Sequence, residues 1–161
     1  MAYDGYIVTV KADDLASFST LPLYSPGVKT LQSGNEYVYV CAASAVATGK
    51  YCVLEPSGTS LTSGYTVSVS NASLNGWMVG VAQSTINAST YGWVMTKGLS
   101  LVAVDSGEVS AAPGVDLALG TNGGFVAAGA TFSTAPRFGV TINSFITTVG
   151  TSKARIFGSI L

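Results

Sequence analysis

Short runs in which alternate residues are apolar or β-branched, each cut off by Gly, Pro or Asn, dominate this chain. Strand side chains alternate between two faces, so such runs bury one face and wet the other. A helix instead needs apolar residues three and four apart. The clearest runs fall at 6–10, 36–41, 50–54, 65–70, 77–83, 91–96, 99–104, 137–142 and 154–160. Within 65–70, Val67 and Val69 face one way while Thr66, Ser68 and Ser70 face the other, as in a strand with one wet face. Only residues 13–18, opening on Asp13 and Asp14, can make a capped helical turn, an Asp accepting from first-turn amides. So many short strands in one domain predict an all-β fold, a compact β-sandwich or a β-barrel-like domain, the tulip-like form included. No fixed-period repeat is evident.

Residues 1–35 differ in texture. Pro22, Pro26 and the turn-like Ser25-Pro26-Gly27 interrupt a stretch carrying Tyr3, Tyr6, Phe18 and Tyr24. This reads either as an extended N-terminal arm leading into the strand at Tyr37, or as an ordinary first strand followed by a long loop. The division adopted is 1–35 for the arm and first strand and 36–161 for the β domain.

Charge narrows the functions available. Seven Lys and Arg face eight Asp and Glu, and charged residues are 9% of the chain, against about 25% in ordinary domains. Seven scattered cations make no basic stripe, so no nucleic-acid partner is expected. Histidine is absent, which removes the commonest general acid–base and the commonest metal ligand. With 48% hydrophobic residues and a mean hydropathy of +0.46, there is ample surface to bury and disorder is disfavoured. No run reaches the ~18 continuous apolar residues of a membrane helix, and the N-terminus lacks the basic and apolar regions of a signal peptide. No membrane partner is expected, and the chain is read as made without export.

Few residues offer chemistry. Thr48-Gly49-Lys50 resembles the end of a phosphate loop, but Ser44 and Tyr51 occupy the positions that need Gly and Ser or Thr, so it reads as a turn. Asp13 and Asp14 are adjacent and point apart, which suits a solvated turn rather than a shared substrate atom. Asn122-Gly123-Gly124 reads as a hairpin turn. Cys41 and Cys52 flank a Gly- and Ala-containing segment that a hairpin would close. The compartment favours two free thiols over a disulfide. Trp77, Tyr91 and Trp93 fall on neighbouring strands, with Tyr91 and Trp93 on one face. They either pack in the core or at an interface, as expected also of Tyr37 and Tyr39, or form a platform for sugar rings. No catalytic, metal or cofactor site assembles, and the chain is read as non-catalytic, with no cofactor.

Three segments carry a resemblance. Residues 31–40, containing Gly34-Asn35-Glu36-Tyr37-Val38-Tyr39-Val40, are followed by Gly80-Val81-Ala82 with Tyr91-Gly92-Trp93-Val94, and then by the turn at 113–121. In order and spacing they resemble the capsid decoration (cement) proteins of tailed bacteriophages. The resemblance implies a structural virion protein on the outer surface of the capsid, made in the host cytoplasm. It also implies a homotrimer whose partner is the major capsid protein. The N-terminal arm would contact the shell through Tyr3, Tyr6 and Phe18, and deleting residues 1–20 would then weaken capsid binding while the β domain stays folded. A tail, baseplate or spike subunit and a carbohydrate-binding module are the alternatives.

Overall fold

The computed structural model describes residues 7–56, 65–68, 78–104, 110–111, 114–119, 124–127, 139–141, 145–146 and 150–156. One helical turn, α1 (Ala12–Leu15), precedes the strands β1 (Phe18–Ser19), β2 (Lys29–Gln32), β3 (Asn35–Ala42), β4 (Tyr51–Pro56) and β5 (Tyr65–Ser68). These are followed by β6 (Met78–Ala82), β7 (Tyr91–Val104), β8 (Ser110–Ala111), β9 (Asp116–Leu119) and β10 (Phe125–Ala127). The last three are β11 (Gly139–Thr141), β12 (Phe145–Ile146) and β13 (Gly150–Ile156). The protein is all-β.

Among the described residues the strands close into two rings that share β7. In the first, β3 pairs with β7, β7 with β6, β6 with β4, β4 with β5, and β5 returns to β3. In the second, β7 pairs with β13, β13 with β11, β11 with β9, β9 with β10, and β10 returns to β7. A ring of five strands cannot alternate direction throughout, so each has one parallel junction: β3 with β5, and β10 with β7. Among the described residues closure removes the edges of the ring strands, the edges through which β proteins aggregate, while β2 and the two-stranded β8–β12 sheet keep theirs.

The two runs read at 91–96 and 99–104 are one 14-residue strand. Its first half pairs with β3, and its second half, from Gly98, pairs with β13. The changeover is built around Gly98, whose φ of +130° suits glycine and where a Cβ would run into the side chain of Asn35. Asn35 Oδ1 accepts from the Leu99 backbone N–H at 3.0 Å, pinning the strand where it changes rings.

Alternation fills both interiors. Val38, Val40 and Ala42 of β3, Cys52 and Leu54 of β4, Ala82 of β6 and Val94 of β7 point into the first ring, one end of which is plugged by the paired Val46 and Ile86. Five strands leave a narrow interior, and small residues suit it. Gly92 is one of them: a Cβ there would sit 2.8 Å from Ile86 Cδ1. The second ring holds Val102, Val104, Leu117, Phe125, Ala154 and Ile156, and Tyr51 and Val81 reach into that cluster from the outer side of the first. Tyr51 meets Phe125 edge-on at 5.8 Å, joining the two cores.

The segment between Cys41 and Cys52 departs from the expected hairpin. β3 and β4 do not pair with each other; β3 pairs with β7 and β4 with β6. The two connecting loops, 43–50 and 83–90, instead cross and bond reciprocally. Val46 and Ile86 exchange both backbone bonds at 2.9 Å, Gly49 N–H donates to Ala82 and Ser89 N–H donates to Ala42. Equivalent residues keep a constant offset (Cys41 with Val81, Val46 with Ile86, Tyr51 with Tyr91), and Gly49 and Ser89 both have positive φ. The molecule thus contains a pseudo-two-fold pair of strand–loop–strand units at one constant offset, with Ala42 and Ala82, Ser44 and Ser84, and Tyr51 and Tyr91 at equivalent places, which corrects the expectation of no fixed-period repeat. Cys52 points into the ring, whereas Cys41 lies on the alternate, outward face of β3, so the wall separates two free thiols.

Two further expectations change. In the run at 6–10, Ile7 makes a single parallel bridge to Lys29 and no longer strand forms over 7–10. Helix α1 is capped at Lys11 without a side-chain hydrogen bond, so Asp13 and Asp14 sit in its first turn rather than capping it. Residues 122 and 123 of the expected turn lie outside the described residues; the strands on either side of it, β9 and β10, are antiparallel, with Leu119 opposite Phe125.

Candidate assembly surface

The outward face of β3 and β7 carries the aromatic residues. Tyr37, Tyr39, Trp93 and Met95 alternate with the residues that point inward, and Tyr91 packs beside them half-buried. Left bare, this face would be a large apolar patch of the kind that soluble monomers rarely expose. Residues 7–32 cover it. Val10 and Leu15 are buried on it, with Val8, Tyr24 and Val28 packed around them. Tyr24 stands 5.3 Å from Tyr39 and 5.4 Å from Trp93, and Tyr39 lies 5.0 Å from Trp93, within the range of favourable edge and tilted contacts. Trp93 is 1% exposed and offers no face to a sugar ring.

Polar contacts fix the covering segment. The Val8 N–H donates to Lys29 O, and Thr30 Oγ1 donates to Val8 O at 2.6 Å. The Leu23 N–H donates to the Tyr39 hydroxyl at 3.2 Å. Burial raises the Tyr39 phenol above its ordinary 10.0, the Leu23 bond opposing that shift. Strand β1 pairs with β7 at Gly92 and Tyr91, next to the stretch that β6 occupies at Val94 and Met95. Lys29 Nζ bonds Glu36 Oε1 at 3.1 Å, and Thr96 donates to the same oxygen at 3.2 Å, tying β2, β3 and β7 together. The β2–β3 turn uses Ser33 and Gly34, both at positive φ, which is the geometry of a two-residue hairpin.

The outer side of this cover exposes several apolar side chains among its polar ones. Leu21 is 71% exposed, Ile7 67%, Leu23 65% and Phe18 48%, and Leu31 on β2 is also exposed. Leu99 and Leu101 form a smaller exposed pair on the second half of β7. Single exposed leucines are ordinary, but several on one 25-residue stretch without charge between Asp14 and Lys29 are not.

The anticipated site residues are thus distributed as follows. Tyr37, Tyr39 and Trp93 are buried under the cover, Tyr91 is half-buried at its margin, and Phe18 is half-exposed on β1. Tyr3, Tyr6, Trp77 and Val69 lie outside the described residues. Sequence reasoning passed over Leu21 and Leu23; the signal available was two leucines flanking Pro22 in a stretch with no strand period. Among the described residues no three His, Cys, Asp or Glu gather into a metal-binding group, and no helix is long and apolar enough to cross a membrane. The buried Cys52 thiol, donating to Gly80 O, is pushed up well above its ordinary range by desolvation, the opposite of nucleophile activation.

Among the described residues the protein is thus an all-β fold of two closed rings that share β7, with an aromatic face on β3 and β7 covered by residues 7–32. No protein-family model matches the chain, and no curated protein matches it in sequence. In fold it is similar to the crystal structure of the head fiber gp8.5 N base of bacteriophage phi29, with a TM-score of 0.54 and 16% sequence identity. The match covers 78% of this chain and 96% of that one.

Proposed function

We propose that the chain is a non-catalytic structural component of a bacteriophage virion, carried on the outside of the head, where it decorates and stabilises the capsid. The similarity in fold to the base of a phage head fiber carries the reading. Composition supports it independently. A protein that binds a repeating lattice sums many weak contacts and needs no reactive groups. With few ions on its surface, little desolvation opposes docking. The partners proposed are the major capsid protein and further copies of the chain, as a homotrimer.

The same fold similarity favours one second reading, in which the chain is the mounting base of a fiber or of another projecting part. Added to bare heads, a decorating protein raises their disruption temperature and labels the head at a regular lattice of sites by immunogold. A fiber base labels sparsely and leaves the disruption temperature unchanged. A protein with no affinity for heads would falsify both.

A further inference from the structure

We propose that residues 7–19 are exchanged between copies of this chain, so that the aromatic face of one copy is covered by the arm of the next. The proposal deepens the reading of the chain as a self-assembling protein and rests on it, but not on attachment to heads.

The arm behaves as a separable unit. Val8 bonds Lys29 and Thr30, β1 pairs with Tyr91 and Gly92, and Val10 and Leu15 pack against Tyr37, Tyr39, Trp93 and Met95. All of these partners lie beyond residue 24. The joint between the two parts is residues 20–23. Among the described residues its polar ties are the Leu21 N–H to Ser19 Oγ and the Leu23 N–H to Tyr39 Oη. Pro22 fixes its own φ and biases Leu21 towards extended backbone. Extended, four residues reach about 13 Å, enough to lead the arm away from its own barrel.

Exchange is inexpensive because the interactions broken within a chain are remade between chains; only the joint differs. That joint is where Leu21 and Leu23 stand mostly exposed. When two copies exchange arms, their joints run past one another, and these leucines acquire the apolar surroundings that they lack in a single chain. The second copy is therefore the occupant that fits both the covered face, which this segment already complements, and the uncovered leucines.

Ser19 and Tyr91 are directly opposed across β1 and β7, at the separation that a disulfide spans. In a Cys41→Ser background, Ser19→Cys and Tyr91→Cys are placed on separate, differently tagged chains and co-expressed. Exchange yields a 19–91 linked heterodimer that doubles the mass on a non-reducing gel, with the linked peptide identified by mass spectrometry. If the co-expressed chains stay unlinked while one chain carrying both substitutions links internally, the arm stays at home and the proposal is overturned. A chain that is monomeric by light scattering at every concentration overturns it too. Replacing Leu21 and Leu23 by Ser lowers the linked share several-fold without moving the melting curve of the unlinked chain; an unchanged share would remove the leucines from the mechanism. Oligomers that form with only internal links reject exchange while leaving self-association intact.

Discussion

Ile86 decides what position 92 can hold. Its Cδ1 and Cγ1 lie 2.8 and 2.9 Å from where a Cβ at Gly92 would stand, in a ring interior with no spare room. Gly92→Ala should therefore cost about 1–3 kcal/mol through overpacking. Ile86→Ala removes both offending carbons, so the double mutant should be more stable than the sum of the two single changes, as read from urea midpoints. Two protons at buried groups give the protein an alkaline limit. The Tyr39 phenol and Cys52 thiol are both raised by desolvation above their ordinary 10.0 and 9.0. Each holds its proton to higher pH when folded than when unfolded. Their contribution is thus complete below about pH 9 and is lost as pH rises beyond that, because the unfolded chain ionises first. Denaturation midpoints should fall above pH about 9, and Cys52→Ala and Tyr39→Phe should each flatten the fall. A thiol reagent should label Cys41 in the native protein and Cys52 only on unfolding, since Cys41 is half-exposed and Cys52 buried.

At the scale of elements, the arm is part of the packed structure. Deleting residues 1–20 removes Val10, Leu15 and β1 from the face over Trp93. The loss of two buried side chains alone is worth about 3–6 kcal/mol, a large part of a domain's total stability. Trp fluorescence should shift to longer wavelength as Trp93 meets water. Because the arm is packed on this face, such a deletion is expected to affect folding as well as any contact the arm makes outside the chain, so a point substitution is the sharper test. Phe18→Ser, on a half-exposed residue, isolates the surface contribution: it should leave the melting curve within about 0.5 kcal/mol and act only on assembly. The strands themselves were legible. β3, β4, β6 and β7 fall where alternating Val, Tyr and Trp force one face inward. The break read between 96 and 99 was not a strand end, because a glycine that ends one strand and a glycine that lets a strand turn a corner look alike in sequence. Asn35, distant along the chain, marks Gly98 as the latter.

Over the whole molecule, closure and scarce charge act together. Among the described residues the closed rings limit indiscriminate strand pairing, while the few ions leave little self-repulsion to keep copies apart. Association should therefore be driven by apolar contact. Light scattering should find the same oligomer at low and high sodium chloride, since little electrostatic attraction exists to be screened, and sulfate should strengthen it.

The sequence alone determined that this chain is mostly β, that it carries few charges, and where most of its strands run. Those properties follow from side-chain alternation and composition, which are local. Tertiary structure decided which strand meets which. β3 passes over β4 to pair with β7, and the crossing loops are locked by Val46 and Ile86, whose apolar character in a loop was the one local hint. It also decided the fate of the arm, since an apolar stretch reads alike whether it covers its own barrel or reaches for another surface. Trp93 and Tyr39 supply what the sequence could not: an apolar face that the arm complements and on which Val10 and Leu15 are buried.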